Sequence, residues 1–176
     1  LQKDHFVLNT SVEIIFDEDY IGNEIFIEAL ISDDNGCESS SKIMVIANKT
    51  HNTYSIPVKI NNPKLWWPNG MGEQHLYDLK INIFDDKSRD SQSLQTGVRT
   101  IELVREPDSI GTSFYFKVNG HPVFMKGANY IPQDAFLARP TKEHYEHILN
   151  SAKKANMNMI RVWGGGVYES DYFYEL

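Results

Sequence analysis

The sequence predicts a mainly-β chain, an antiparallel sandwich followed by the opening of a parallel α/β domain. Three observations predict it. Up to about residue 104, short apolar stretches recur with polar turns between them, several alternating at period two. Beyond that point a strand, a helix and a second strand follow within about forty residues, the pattern of a βαβ unit with a right-handed crossover. The last of these strands, Met157 to Trp163, is apolar on both faces, carries Arg161 near its carboxyl end and stops at Gly164-Gly165-Gly166. A strand of that kind belongs in a parallel sheet, which is covered on both sides.

The elements justify themselves in order. Val12 to Phe16 is a strand closed by the turn Asp17-Glu18-Asp19. Glu24 to Ile31 sets Ile25, Ile27, Ala29 and Ile31 on one face and Glu24 and Glu28 on the other. Asp33-Asp34-Asn35-Gly36 is a turn. Lys42 to Ala47 and Thr53 to Ile60 are further strands. Leu76 to Phe84 places Tyr77, Leu79, Ile81 and Ile83 inward and Asp78, Lys80 and Asn82 outward, and Thr96 to Val104 is the last strand of the sandwich, about seven in all. Phe114 to Val118 and Val123 to Ala128 flank the hairpin-like turn Asn119-Gly120-His121-Pro122. After the loop Asn129 to Pro140, Thr141 caps a helix whose Tyr145, Ile148, Leu149 and Ala152 share one face, and Asn156 closes it. Ser170 to Leu176 begins a second helix.

Composition narrows the function classes. Seventeen basic against 24 acidic side chains give a formal charge of −7 with no basic stripe, which argues against nucleic acid as a partner. No apolar run approaches a membrane span, and no signal peptide opens the chain. Cys37 stands alone, so it forms no intrachain disulfide and reads as a bystander in a polar loop. Asn9-Thr10-Ser11 and Asn48-Lys49-Thr50 are glycosylation sequons that matter only in a secreted eukaryotic protein. His144 and His147 lie three apart on the helix without a third ligand, so neither a metal nor a cofactor is expected.

Several motifs carry a resemblance. Leu65-Trp66-Trp67-Pro68-Asn69-Gly70-Met71-Gly72-Glu73-Gln74-His75-Leu76-Tyr77 resembles the end of the immunoglobulin-like domain of family 2 glycoside hydrolases, and Gly97 to Leu103 resembles its closing strand. Phe116-Lys117-Val118-Asn119-Gly120 with Phe124 to Pro132 resembles the first strand of that family's (β/α)8 (TIM) barrel. The run Arg161-Val162-Trp163-Gly164-Gly165-Gly166-Val167-Tyr168-Glu169 is similar to the β-mannosidases within the family. The resemblance implies an immunoglobulin-like β-sandwich over residues 1–104 and an incomplete TIM-barrel catalytic domain over 105–176. It implies a larger retaining enzyme acting on terminal β-mannosides or oligosaccharides. Such chemistry uses two carboxylates about 5–5.5 Å apart. In the family both are glutamates on later barrel strands, so the catalytic pair is expected beyond Leu176. The compartment would be periplasmic or extracellular in a bacterium and lysosomal in a eukaryote.

The same resemblance implies roles at four positions. Arg161 would orient the nucleophile carboxylate and hold it charged. Trp163 would stack on a sugar face, and Asn129 and Asp134 would contact substrate. The competing readings are a strand-end arginine, a core tryptophan, a loop-capping asparagine and a solvated aspartate. Trp66-Trp67 reads as a loop anchor or a domain-interface pair rather than a sugar platform. Two other classes stay open for the whole: a non-catalytic immunoglobulin-like module that binds carbohydrate or protein, and another family 2 hydrolase such as a β-galactosidase or exo-glucosaminidase. Two strands do not close a barrel, so self-association through the open barrel fragment is a further expectation.

Overall fold

The computed structural model describes residues 5–34, 36, 38–87 and 89–176. Asn35 of the expected turn and Cys37 lie outside the described residues. The chain divides into two units, one formed by the chain up to Trp66 with His75–Arg99, the other by Trp67–Gln74 with Thr100–Leu176.

The first unit is a sandwich of antiparallel strands. Its strands are β1 (His5–Ile15), β2 (Glu24–Ser32), β3 (Glu38–Ile46), β4 (His51–Asn61), β5 (Tyr77–Phe84) and β6 (Arg89–Thr96). β1 pairs with β4 in one sheet, and the other runs β3-β2-β5-β6. The alternation read along Glu24 to Ile31 is what the structure uses: Ile25, Ile27, Ala29 and Ile31 are buried. They meet Tyr77, Leu79 and Ile81 from β5 and, across the sandwich, Val12, Ile14, Ile56, Val58 and Ile60 from β1 and β4. Inside the same unit the buried carboxylate of Asp33 meets His75 Nε2 at 2.9 Å, and the His75 ring stands edge-on to Tyr77. The Asn48 sequon falls in an exposed bend between β3 and β4, whereas Asn9 is paired within β1.

Two expectations change here. β6 is a strand that the sequence pattern does not announce. Its sequence Arg-Asp-Ser-Gln-Ser-Leu-Gln-Thr has no apolar alternation, because it is a sheet edge paired only to β5 and exposed along nearly its whole length. Thr96 to Val104 is not one strand: β6 ends at Thr96, and a separate strand β7 (Ile101–Val104) pairs with β8 (Tyr115–Val118). The break between the two strands falls at Gly97–Thr100.

The second unit holds β7, β8, β9 (His121–Val123), β10 (Gly127–Tyr130), α1 (Lys142–Lys154), β11 (Met159–Val162) and the short α2 (Asp171–Glu175). β8 and β9 form a hairpin over Asn119-Gly120, both at positive φ (51° and 80°), the backbone of a two-residue turn. β10, α1 and β11 make the expected βαβ unit, with β10 and β11 parallel. Thr141 caps α1 in a capping box whose third position is His144, so that imidazole is structural. Asn156, at φ 57°, ends the helix in the left-handed region. Among the described residues no helix is long and apolar enough to cross a membrane.

Candidate functional site

The site is built at the carboxyl ends of β10 and β11. Three contacts set the register at their start. Asn158 accepts from the Lys126 backbone N–H through Oδ1 at 2.8 Å and donates to the Phe124 carbonyl through Nδ2 at 3.1 Å, while its own N–H donates to the Lys126 carbonyl. Gly127 lies so close to β11 that a methyl group there would collide with the Met159 carbonyl oxygen. The loop Trp67–Gln74 adds a further tie. Asn69 Nδ2 donates to the carbonyls of Lys153 and Met157, at 3.2 and 3.0 Å, covering the carbonyls where α1 ends and β11 is about to begin.

With the register fixed, Asn129 on β10 stands beside Arg161 on β11. Parallel partners project to the same face, and Arg161 Nη1 donates to Asn129 Oδ1 at 3.0 Å. Both side chains are exposed, and among the described residues no carboxylate pairs with this guanidinium. Trp163 follows at the strand end, held by its N–H to the Tyr130 carbonyl at 2.8 Å, with 44% of its surface exposed. A guanidinium fork, a carboxamide and an open indole therefore sit together at the carboxyl ends of adjacent parallel strands. That is a set able to hold a carboxylate and the apolar face of a polar ring. Asp134 is placed differently. Its Oδ1 accepts the Phe136 N–H at 2.7 Å and its Oδ2 lies 3.7 Å from Arg139 Nη1, so its contacts tie down its own loop.

The opposite face of the two strands is covered. Ile160 and Val162 pack with Tyr130, Tyr145, Ile148, Leu149 and Phe173. Tyr145 donates to Glu169 Oε2 at 2.8 Å, and Gln133 Nε2 donates to the Tyr130 hydroxyl at 3.2 Å. Burial pushes the Tyr130 hydroxyl up to about 12; the Gln133 bond opposes the rise and the Glu169 carboxylate adds to it. The unfolded phenol loses its proton near its ordinary value of 10.0 and the folded one does not, so stability is whole below pH 10 and is lost as pH rises toward 12. We expect a phenolate absorbance titration to show one tyrosine ionising last, and Tyr130→Phe to remove that step. Retention of the step in Tyr130→Phe would assign it to another residue.

Sequence reasoning named Arg161, Trp163 and Asn129 but missed what holds them. The available signal for Asn158 was a carboxamide sharing a face with Ile160 and Val162. The adjacent tryptophans turn out to serve different units. Trp66 packs in the first, its N–H on the Val98 carbonyl and the Arg99 guanidinium 4.7 Å over its ring. Trp67 packs in the second, its ring 5.5 Å from that of His121.

Comparison with known proteins completes the description. The family model for glycosyl hydrolases family 2 matches residues 7–99, more than half of the chain. A β-mannosidase of Capra hircus is 46% identical over 130 residues, covering 70% of this chain and 15% of that protein. A β-mannosidase B of Emericella nidulans is 37% identical over 131 residues, covering 74% of this chain and 16% of that protein. The crystal structure of a β-D-mannosidase from Dictyoglomus thermophilum superposes with a TM-score of 0.88 at 38% identity, over 99% of this chain and 21% of that one. The chain thus spans about 15% of the length of the curated relatives it matches.

Proposed function

This chain belongs to family 2 of the glycosyl hydrolases, and from that premise we propose that it is one segment of a retaining β-mannosidase that hydrolyses terminal β-D-mannosides. In this reading residues 1–104 are the immunoglobulin-like sandwich, with β7 as the connecting strand, and residues 105–176 open the catalytic barrel. The observation that carries the proposal is the Arg161–Asn129 pair beside the exposed Trp163, at the carboxyl ends of two parallel strands. That is the end of a (β/α)8 barrel where substrates are bound. The β-mannosidase names support the substrate class, and the resemblance carried by the Arg161 to Glu169 run agrees with them.

Mechanistically, the segment supplies binding and orientation. Arg161 would clamp the nucleophile carboxylate and keep it ionised, Asn129 would hold the guanidinium in place, and Trp163 would pack on the sugar ring. Asp134 would serve substrate only by giving up its Arg139 contact. The face of β10 and β11 that carries Arg161 presents Gly127, Asn129 and Met159 with it and no carboxylate. Nothing on it protonates a leaving group or attacks an anomeric carbon.

The test uses aryl glycosides with both proteins. The enzyme carrying this segment should hydrolyse the β-mannoside in preference to the β-galactoside and β-glucuronide. The 176-residue chain alone should release no phenol even at high protein concentration. Turnover by the chain that disappears in Arg161→Ala would overturn this division of labour, and a preference for galactoside would overturn the substrate class.

A further inference from the structure

The Trp163 indole sits at the end of a strand that runs straight into three glycines. Glycine loses more conformational freedom on folding than any other residue. A strand end feeding such a turn holds an aromatic ring in one orientation only if the turn is fixed on its far side. The near side is fixed by Trp163 N–H on the Tyr130 carbonyl and by Gly166 N–H on the Trp163 carbonyl at 3.2 Å. The indole folds over Gly165, where a methyl group would collide with its ring atoms. Gly166 seats on Pro132, whose Cγ would lie 2.9 Å from a methyl placed there. Val167 and Tyr168, next along the chain, are 48% and 91% exposed and so fix little.

The first side chain after the glycines to reach back is Glu169. Half-buried, it takes the Tyr145 hydroxyl at 2.8 Å, a bond from the turn to the buried face of α1. It also faces Tyr130 on β10, whose hydroxyl and that of Tyr145 are both raised, chiefly by burial and further by this carboxylate. A carboxylate held by a phenol in a half-buried place is a stronger tie than an exposed one, because less water competes for it.

We propose that Glu169 is a positioning residue. Its carboxylate, held by the Tyr145 hydroxyl, anchors the far end of the Gly164–Gly166 turn and so keeps the Trp163 indole in the orientation that receives the sugar. The sugar-receiving part rests on the proposed function; the anchoring part rests on the geometry alone. The rival anchor is Phe173, which packs on Tyr130 and Tyr145 four residues further on.

The test has two arms. In the 176-residue chain, the order parameter of the Trp163 indole N–H is measured by nuclear magnetic resonance relaxation. Glu169→Ala is expected to lower it from about 0.85 to below about 0.6. Tyr145→Phe, which removes only the donor hydroxyl, should lower it as well. Glu169→Gln, which still offers an acceptor, should stay close to the parent. Circular dichroism confirms that each variant is folded. An indole as rigid in Glu169→Ala and Tyr145→Phe as in the parent overturns the proposal and leaves Phe173 as the anchor. In the longer enzyme, Glu169→Ala should lower kcat/KM about tenfold, mostly through KM, as lost binding of the ring does. Glu169→Gln should restore most of it. A loosened indole with unchanged kcat/KM on a β-mannoside also overturns the positioning role. An enzyme that hydrolyses no β-mannoside at all would instead defeat the proposed function, while the relaxation arm still judges the anchor.

Discussion

Replacing Arg161 by alanine in the enzyme that carries this segment is expected to lower kcat on an aryl β-mannoside by about 10- to 150-fold, with the chain still folded. The range is that of a lost hydrogen bond to a charged group, roughly 1.5–3 kcal/mol, converted to a rate. The guanidinium lies on the exposed face of β11, 3.0 Å from Asn129 Oδ1, so its removal leaves the packed face of Ile160 and Val162 untouched. Two further readouts separate a role in the chemistry from general loosening. A carboxylate deprived of a nearby cation titrates higher, by about 1–3 units where the pair is close. The acid limb of the pH–rate profile should therefore move up in Arg161→Ala. Arg161→Lys keeps the charge and loses the planar fork, so it should recover the acid limb better than the rate. Asn129→Ala, which frees the guanidinium from its carboxamide, should give a smaller loss of the same kind. An unchanged kcat and acid limb in Arg161→Ala would remove this arginine from the mechanism.

The sequence announced the parts of the fold that depend on alternation and concealed those that depend on distance. β2 and β5 could be read residue by residue, because each has one face in the core and one toward solvent, and a period of two records that directly. The helix α1 was similarly plain from Tyr145, Ile148 and Leu149 and from the cap at Thr141. β6 was invisible because an edge strand needs only backbone partners, and its serines and glutamines carry no pattern. The division near residue 100 was hidden because Thr96 to Val104 reads as one continuous stretch, whereas Ile101–Val104 pairs with β8. At the site, Arg161 and Trp163 stood out by motif and by their place before the glycines. Asn69, Asn158 and Glu169 did not, since each works through a bond to a residue 24 to 88 positions away. A single sequence without a fold offers no way to see such a pairing. The double tryptophan shows the same limit: adjacency suggested one role, and folding sends the two rings to different units.

The largest stability effect is expected from the first unit's core. Ile27 has no exposed surface and lies on β2, a strand with hydrogen-bonded neighbours on both sides. Around it stand Ile25 and Ala29 on the same face and residues of β1, β4 and β5 in the same cluster, an arrangement with little room to collapse into a vacancy. Ile27→Ala should therefore cost about 2–5 kcal/mol, the range for deleting a buried branched side chain. In a unit of fewer than a hundred residues each kcal/mol lowers Tm by roughly 4–8 °C. A fall of about 8 °C or more is the expected result, in the transition that belongs to the sandwich. Met159→Ala, at a residue that is 37% exposed and belongs to the other unit, should leave that transition where it is. The same contrast tests where the sandwich ends. β7 pairs with β8 rather than with the sheet of β5 and β6, so chains cut after Arg99 and after Val104 should melt alike, and both should show the Ile27→Ala loss in full. If the chain ending at Val104 is the only one with a cooperative transition, Ile101–Val104 belongs to the sandwich, as the reading of Thr96 to Val104 as one strand first suggested.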